Sequence, residues 1–462
     1  MHRLSWADIY SEAELYKAAV RLYTTPIFNW QKALAYSTDQ KNFYDFARYG
    51  LKRLDKLHAQ LNREHFSFRE GVAVPFTRNK KKRIVYVYPW EERLVDLLLY
   101  RLLNKRLDQL FSRSSYAYRI NRGGIDACQR DIERALSAEN RPLYIIKRDI
   151  SDYFNSINHA ILIDQLKEFI FLDDYLFELI KERVAFTYVR DGQRFQASQG
   201  VPFGTAIACL FANIYLTELD RFMQGIVGLK YYRYSDDFLM FASFLKPLEI
   251  ARDGFETYLA KLKLSDKAYH RMEICLSQDV AQINGFVPAT KFKHLGLEFR
   301  DNGMTGLTRD KTRKICNVFR YALRRKKGTL RRIKDVNKRI DTVMKIFKDV
   351  LERGIRNVAL VDYYLRHVKD EAQLKLMDRW LAEEALAIIF GNGHKKGNFA
   401  KLSFSDLRKK GLPSLVHRRK LILHRHVETS FFIWKKYKIN RGTAARPSGL
   451  LSNPKSSDVI SP

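Results

Sequence analysis

The stretch "YYRYSDDFLMF" at 231–241 places two adjacent aspartates, Asp236 and Asp237, between aromatic and aliphatic residues. Such flanking residues are typical of β-strands, so the pattern predicts two short strands that meet at a bend. Aspartate is rarely buried unless it is paired or binds a metal ion. The pair therefore marks either a strand corner held by ion pairs or a metal site, and only the rest of the chain distinguishes the two.

A second acidic position, Asp149, follows an apolar run. The segment "RPLYIIKRDISDYF" (141–154) begins with "LYII", and a continuous apolar run predicts a strand buried on both faces. Carboxylates brought together from neighbouring strands suit Mg²⁺, which prefers oxygen ligands. Two such ions about 4 Å apart suit in-line phosphoryl transfer. Separate buried ion pairs are the alternative interpretation.

Charge indicates the partner. The 462 residues carry a net charge of +32, and the sequence of 311–462 alone accounts for +24 of it. An excess of this size favours a polyanionic partner, with nucleic acid ahead of an anionic membrane surface. No run approaches the roughly 18 apolar residues of a membrane helix, and the first residues lack a signal-peptide pattern. We therefore expect a cytoplasmic protein without a membrane partner.

The four cysteines are far apart in the sequence, without a Cys-x-x-Cys pair or a Cys/His cluster. Metal-binding and disulfide frameworks normally bring cysteines into recognisable spacings. The pattern argues against a zinc site and against a disulfide scaffold, and it favours a reducing compartment.

Several motifs occur in collinear order across roughly 70–310. They are "KRIVYVYPWEERLVDLLL" (82–99), "SSYAYRINRGGIDA" (114–127), "KRDISDYFNSINH" (147–159), "QGVPFGTAIACLFANIYL" (199–216), "YSDD" (234–237) and "FKHLGLEF" (292–299). In these motifs the chain resembles the reverse transcriptases, specifically the bacterial branch with group II intron proteins, retron enzymes and defence-associated enzymes. The stand-alone defence-associated enzymes are the most similar group.

The resemblance implies an α+β right-hand polymerase. Fingers and a palm, with an antiparallel palm sheet and helices on one face, would precede an α-helical basic thumb and a C-terminal extension. The implied boundaries are an N-terminal helical region (1–67), fingers (68–145), palm with part of the fingers inserted (146–305), thumb (306–356), basic helical extension (357–440) and disordered tail (441–462).

The resemblance also assigns the catalytic residues. Asp149 and Asp236 would hold two Mg²⁺ ions, with Mn²⁺ as an alternative, and Asp237 would act as a further ligand or electrostatic support. Phe154, five residues after Asp149, matches the position that packs under the sugar C2′. A bulky ring there leaves no room for a 2′-hydroxyl, so it selects deoxynucleotides.

Other residues are expected to contact the substrates. For the incoming nucleotide they are Lys82, Arg83, Phe154, Gln199 and Gly200, and for template or primer they are Arg119, Tyr234, Leu295 and Gly296. Relatives usually carry a lysine after the Asp-Asp box that assists pyrophosphate departure. This sequence departs from that pattern, which leaves Lys267 and His270 as alternative proton donors.

The function expected is an RNA-directed DNA polymerase that copies an associated non-coding RNA, in anti-phage defence. Its partners would be an RNA template, the DNA product and deoxynucleoside triphosphates, while an oligomer or a partner protein is left open. The alternatives are a mobility enzyme of the group II intron or retron type, or a non-catalytic RNA-binding protein with a polymerase-like fold.

Overall fold

The computed structural model describes residues 3–26, 29–78, 81–119, 122–140, 142–277, 284–352 and 355–424. The predicted disordered tail, 441–462, and the last part of the predicted extension, 425–440, lie outside the described residues.

Helices dominate the first half of the chain. In order they are α1 (Trp6–Ile9), α2 (Glu12–Thr24), α3 (Asn29–Leu34), α4 (Phe43–Arg48), α5 (Gly50–Asn62), α6 (Trp90–Leu107), α7 (Gly124–Ala138), α8 (Tyr153–Ser156), α9 (His159–Lys167), α10 (Tyr175–Val184), α11 (Ala206–Tyr215), α12 (Thr217–Gly225) and α13 (Leu245–Lys261). Single 3₁₀ turns lie at Asp108–Leu110 and Ala268–His270.

Strands are interleaved with these helices. They are β1 (Gly71–Arg78), β2 (Lys81–Val87), β3 (Leu143–Asp149), β4 (Thr187–Arg190), β5 (Gln193–Gln196), β6 (Lys230–Tyr234), β7 (Asp237–Ala242), β8 (Met272–Leu276), β9 (Val287–Ala289), β10 (Lys291–His294), β11 (Leu297–Arg300) and β12 (Thr305–Leu307).

After β12 the described chain is helical. The helices are α14 (Arg309–Arg325), α15 (Lys327–Arg332), α16 (Val336–Glu352), α17 (Ile355–Leu365), α18 (Glu371–Phe390), α19 (Asn398–Lys401), α20 (Phe404–Lys409) and α21 (Leu415–Leu423). We call them the C-terminal helical body.

A central sheet with strand order β6-β7-β3-β8-β9 carries the acidic motifs. Its neighbouring strands are antiparallel, except for the parallel edge pair β8 and β9. The "LYII" run of β3 is buried on both faces as predicted, with Leu143, Ile145 and Ile146 all fully buried. Alternation along the strand sends Ile146 to one hydrophobic core and Ile145 to another.

Helices cover both faces of the central sheet. On one face α11, α13 and the N-terminal helices share a core with Tyr144 and Met240. The other face packs against α7, through Cys128 and Ile132, and against the C-terminal helical body. The expected mixed α/β architecture is confirmed, and α7 covers the second face of the sheet in addition.

A second sheet, with order β2-β1-β4-β5, forms the hairpin sheet. Strands β1 and β2 pair antiparallel from Val72–Val87 to Arg78–Lys81, as the alternating "FREGVAVPFTRNKKKRIVYVYP" pattern predicts. Strand β4 adds to β1 in parallel, so the sheet combines segments that are more than a hundred residues apart in the chain.

The C-terminal helical body has one continuous core. Phe319 of α14, Phe347 of α16, Leu381 of α18 and Leu415 of α21 belong to the same buried cluster. The boundary expected at 356/357, between thumb and extension, falls inside this shared core. Among the described residues, every helix is too short or too polar to cross a bilayer.

Candidate active site

The Asp-Asp motif occupies the tight turn of the β6–β7 hairpin. Tyr234 pairs with Asp237, which leaves Ser235 and Asp236 as the turn residues. Ser235 has φ of +61°, a left-handed conformation that short hairpin turns require. The backbone N–H of Ile150 donates to the Asp236 carbonyl at 3.2 Å, which fixes the turn beside the end of β3.

Strand register brings the second acidic position to the same place. Asp149, the last residue of β3, is directly opposite Asp237, the first residue of β7. Directly opposed residues have Cβ atoms about 5 Å apart on the same face. The three carboxylates therefore lie at one edge of the central sheet.

A buried ion pair between Arg233 and Asp220 stabilises the turn at Ser235 and Asp236. The Arg233 guanidinium donates to both carboxylate oxygens of Asp220, at 2.7 and 2.5 Å, and both side chains are fully buried. Arg233 also donates to the Ser235 carbonyl at 3.2 Å, and Tyr231 donates its hydroxyl to Asp220 at 2.6 Å. Sequence reasoning missed this pair, because nothing local distinguishes Arg233 from a surface arginine.

Asp237 lies beside a lysine and a buried histidine. One of its carboxylate oxygens lies 3.4 Å from the Lys147 ammonium and 3.4 Å from Nδ1 of the buried His294. Burial raises the pKa of Asp237, but His294 and Lys147 outweigh it and leave that pKa below its ordinary value. Asp237 therefore stays ionised, and neither of its partners had been singled out from the sequence.

The pKa of Asp236 is shifted in the opposite direction, above its ordinary value. Burial raises its pKa above the ordinary value, and the negative charge of Asp149 raises it further. Lys267 opposes the effect: its ammonium contacts the Asp149 carboxylate, and its backbone N–H donates to the Asp149 carbonyl at 2.8 Å. An electropositive group thus offsets the repulsion between two neighbouring carboxylates.

The aspartates open into a cavity of about 850 Å³. Lys82, Arg83, Tyr118, Phe154, Phe203, Tyr234, Lys267 and Leu295 line it together with the three aspartates. The Phe154 ring lies edge-on to Phe203, 5.2 Å between ring centroids, and to Tyr118, at 6.2 Å. The Arg83 guanidinium lies 5.6 Å from the Phe203 ring centroid. An aromatic wall and a cationic rim therefore face the acidic edge.

The family follows from a comparison with known proteins. A family model described as "Reverse transcriptase (RNA-dependent DNA polymerase)" matches residues 78–299, which include all three aspartates and the cavity wall. Residues 78–299 are a reverse transcriptase domain.

Individual relatives are distant. The chain is 26% identical over 174 residues to an uncharacterised 91 kDa protein in the cob intron of Schizosaccharomyces pombe, covering 37% of this chain and 21% of that protein. It is 26% identical over 148 residues to Protein YkfC of Escherichia coli, covering 32% and 38%. The chain thus spans about a fifth to two fifths of the length of these relatives. Among solved structures, apo telomerase from Candida tropicalis matches with a TM-score of 0.45 at 14% identity, covering 82% of this chain and 67% of that chain.

The acidic edge of the reverse transcriptase domain suits divalent ions. Within the described residues, no three His, Cys, Asp or Glu side chains already form a metal-ligand cluster. Asp149 and Asp236 nevertheless present hard oxygen ligands whose mutual repulsion a cation would relieve. Asp237 is a weaker candidate ligand, since its Oδ1 already lies 3.4 Å from both Lys147 and His294. The donor set is therefore compatible with Mg²⁺.

Gly200 packs closely against the backbone of residues 154–155. Its φ is +81°, and a Cβ built on it would lie 3.0 Å from Asn155 Cα and 3.2 Å from the Phe154 carbonyl oxygen. Its N–H donates to the Ile157 carbonyl at 2.7 Å. Gln199 is exposed next to it, outside the cavity lining. Gly200 thus lets its loop pack behind Phe154.

The turn between β10 and β11 closes another side of the cavity. Leu295 (φ +46°) and Gly296 (φ +85°) form it, and Leu295 lines the cavity. The fully buried Gln129 of α7 donates to the Leu295 carbonyl at 2.8 Å and accepts the Tyr363 hydroxyl at 2.6 Å. This bridge joins the turn to α17 of the C-terminal helical body.

Two expected contact residues are placed elsewhere. Arg119 was expected to contact template or primer, but its side chain is only 7% exposed. It donates to Asp108 at 2.7 Å and to the carbonyls of Asp108, Ser112 and Ser115 at 2.6 to 3.1 Å. We correct that expectation, since Arg119 braces its own loop. His270 is exposed beyond the cavity lining, whereas Lys267 lies within it.

Proposed function

We propose that the chain is an RNA-directed DNA polymerase that adds deoxynucleotides to the 3′ end of a DNA strand. The observation that carries the proposal is the pairing of Asp149 with Asp237 next to the Asp236 turn. It gathers three carboxylates at one edge of a cavity whose opposite wall is aromatic and cationic. The match to the reverse transcriptase family supports the same reaction class.

The substrate would lie between these walls. Lys82 and Arg83 are exposed at the cavity, where they would bind the triphosphate, since guanidinium matches phosphate oxygens in a forked geometry. The 3′-hydroxyl of the primer would lose its proton to solvent, and its oxygen would attack the α-phosphorus. The bond between the α-phosphorus and the oxygen that bridges to the β-phosphate would break, and pyrophosphate would leave. Bound at Asp149 and Asp236, two Mg²⁺ ions would supply activation of the hydroxyl and charge stabilisation of the leaving group.

We propose that Lys267 delivers a proton to pyrophosphate. Its ammonium lies in the cavity against Asp149, while His270 lies outside the lining. A cation at this position also stabilises the negative charge that develops on the leaving oxygens. We therefore assign Lys267, not His270, to this step.

Phe154 supports the proposal of a DNA product. Its ring is held between Tyr118 and Phe203 and lines the cavity near the acidic edge. Because a packed ring cannot yield easily, a 2′-hydroxyl on the incoming sugar would clash with it.

Primer extension tests the activity. The full-length chain, supplied with Mg²⁺, deoxynucleotides and a DNA primer annealed to RNA, should extend the primer. Asp236→Asn should abolish extension, whereas Asp173→Asn, which changes an exposed carboxylate outside the cavity, should leave it intact. Equal inertness of the wild type and Asp236→Asn would instead favour an RNA-binding protein that has kept a polymerase fold.

We also propose that the template is an RNA held by the C-terminal helical body. The sequence of this body, 309–423, holds 31 Lys and Arg against 12 Asp and Glu, a net charge of +19, and phosphate contacts by lysine and arginine supply much of the affinity for nucleic acid. The narrower proposals, a dedicated non-coding RNA and a role in anti-phage defence, are supported by sequence resemblance. Sequencing the RNA that co-purifies with the chain tests them, because intron or retron RNA would indicate a mobility enzyme.

A further inference from the structure

A cavity of about 960 Å³ lies outside the reverse transcriptase domain, in the C-terminal helical body. It is bounded by α18, α20, α21 and the loop 391–398. Phe399 and Phe404 contribute aromatic rings to its lining, and Lys395, Lys396 and Arg408 contribute a cationic rim. Ligand pockets typically enclose about 300–1,000 Å³ and combine an apolar interior with a few polar groups.

The rim loop is held in a defined conformation. Asn392 and Asn398 exchange side-chain amide hydrogen bonds at 2.8 and 2.9 Å, and Asn398 also donates to the Gly393 carbonyl at 3.1 Å. Asn398 is only 2% exposed. The amide pair closes the loop at its base, so Lys395 and Lys396 are presented together at the mouth of the cavity.

Within the described residues, no ion pair offsets the charges of the two rim lysines. Lys395 and Lys396 are both exposed. The carboxylates in the wall are already paired, Asp378 with Arg408 at 2.7 Å and Glu383 with Arg379 at 3.3 Å. The rim therefore attracts an anion.

The cavity offers an aromatic surface. Phe404, the first residue of α20, is 37% exposed at the cavity. The Arg408 guanidinium lies 4.8 Å from its ring centroid and is fixed by Asp378 and by the Leu412 carbonyl at 2.9 Å. Unpaired bases stack on such rings regardless of sequence, and RNA is recognised mainly through bases that are not paired.

We propose that this cavity binds an unpaired nucleotide of the RNA that the chain holds, with its base on Phe404 and its phosphate at Lys395 and Lys396. The inference rests on the proposed function for the identity of the ligand. A nucleotide joins an aromatic base to a phosphate. The base is complementary to the exposed Phe404 ring, and the negative phosphate is complementary to the positive charge of Lys395 and Lys396.

Binding of a labelled single-stranded oligoribonucleotide to the full-length chain tests the proposal. Lys395→Ala/Lys396→Ala should weaken binding about tenfold at moderate salt and make the slope of log K against log salt less steep by about 0.7, since the contact with one phosphate of a single strand is lost. Lys409→Ala/Lys410→Ala removes the same charge from exposed positions outside the cavity and should leave the slope unchanged. Equal effects of both double variants would overturn the proposal.

The aromatic surface is tested separately. Phe404→Ala should weaken the same binding about tenfold, whereas Phe404→Tyr, which keeps the ring, should bind like the wild type. Equal losses in both variants, or no loss in either, would refute base stacking. The lysine double variant lies on the surface and keeps the test valid if Phe404→Ala does not fold.

Photocrosslinking identifies the occupant. RNA containing 4-thiouridine should crosslink to the peptides around Phe399 and Phe404. Crosslinks that form only after removal of 425–462 would mean that the chain's own end fills the cavity, and full competition by AMP would mean a site for free mononucleotide. Either result overturns the RNA proposal.

The two proposals fail separately. Primer extension on an added primer–template should be normal in the Lys395→Ala/Lys396→Ala variant, since the reverse transcriptase domain is untouched. Normal extension without crosslinks at the cavity would remove this inference alone. Crosslinks at the cavity without extension would remove the polymerase proposal alone.

Discussion

Gly200→Ala tests how the wall behind the incoming nucleotide is positioned. Gly200 has φ of +81°, and an added Cβ would meet Asn155 Cα at 3.0 Å and the Asn155 carbonyl oxygen at 3.1 Å. These are backbone atoms, so they cannot rotate away as the end of a long side chain could. The added methyl group must displace the segment that carries Phe154.

The cost has two parts. Placing a side chain at a left-handed φ costs about 1 kcal/mol, and forcing a methyl group into a packed contact costs about 1–3 kcal/mol. Gly192 supplies the matched control, since its φ is +79° but its added Cβ would have nothing within 4 Å. Gly200→Ala should therefore be less stable than Gly192→Ala by about 1–3 kcal/mol.

Urea denaturation and nucleotide kinetics measure the two consequences. Gly200→Ala should lower the unfolding midpoint more than Gly192→Ala does. It should also reduce the ratio of kcat/KM for deoxynucleotides over ribonucleotides, because Phe154 moves with Asn155. If both variants were equally stable and kept the wild-type ratio, the contact with 154–155 would not position the wall, and the reasoning would be refuted.

Three further predictions concern the cavity. Phe154→Val should raise kcat/KM for ribonucleotides relative to deoxynucleotides by about ten- to a hundredfold, because roughly 1–3 kcal/mol of steric exclusion is lost. An unchanged ratio of the two kcat/KM values on the same template would contradict this prediction. Lys267→Ala should move the acidic limb of the pH–activity profile to higher pH, because a charge that lowers the pKa of Asp236 disappears while the carboxylate must be ionised to bind metal. Lys267→Arg keeps the charge and should keep the wild-type acidic limb, although it should lower kcat because a guanidinium does not release a proton. An unshifted acidic limb in Lys267→Ala would argue against the coupling. Gln129→Met should raise KM for primer–template about tenfold with less change in kcat, because the Leu295 carbonyl loses a buried hydrogen bond worth about 1–2 kcal/mol. A decrease in kcat with an unchanged KM would contradict a positioning role for Gln129.

Local patterns were sufficient to predict the acidic edge. The continuous apolar run before Asp149 and the strand residues around Asp236 each specify a strand and its end. The hairpin at 71–87 was likewise readable from alternation on both sides of a basic tip. Local patterns do not determine the register between β3 and β7, because the pairing of Asp149 with Asp237 joins residues 88 positions apart.

Supporting residues were missed for a related reason. Arg119 was expected to be available for nucleic acid, yet most of its partners are backbone carbonyls, which have no sequence signature. His294 and Lys147 meet Asp237 only after β3, β7 and the β10–β11 hairpin have packed together. Composition cannot distinguish a buried, fully bonded arginine from one that faces solvent.

The hydrogen bond between Gln129 and Tyr363 joins the segment that matches the family to a part of the chain beyond it. The segment shared with relatives ends at residue 299, but buried groups inside it find their partners beyond that point. Asp126 contacts His367 at 2.8 Å, and Gln129 accepts the hydroxyl of Tyr363. A chain cut at 299 would leave these groups without their partners and would remove 25 of the 38 buried residues of the core on that face. The segment that matches the family is therefore smaller than the unit that shares this core. A stable recombinant fragment has to include the C-terminal helical body, whose buried residues reach Ile422 in α21.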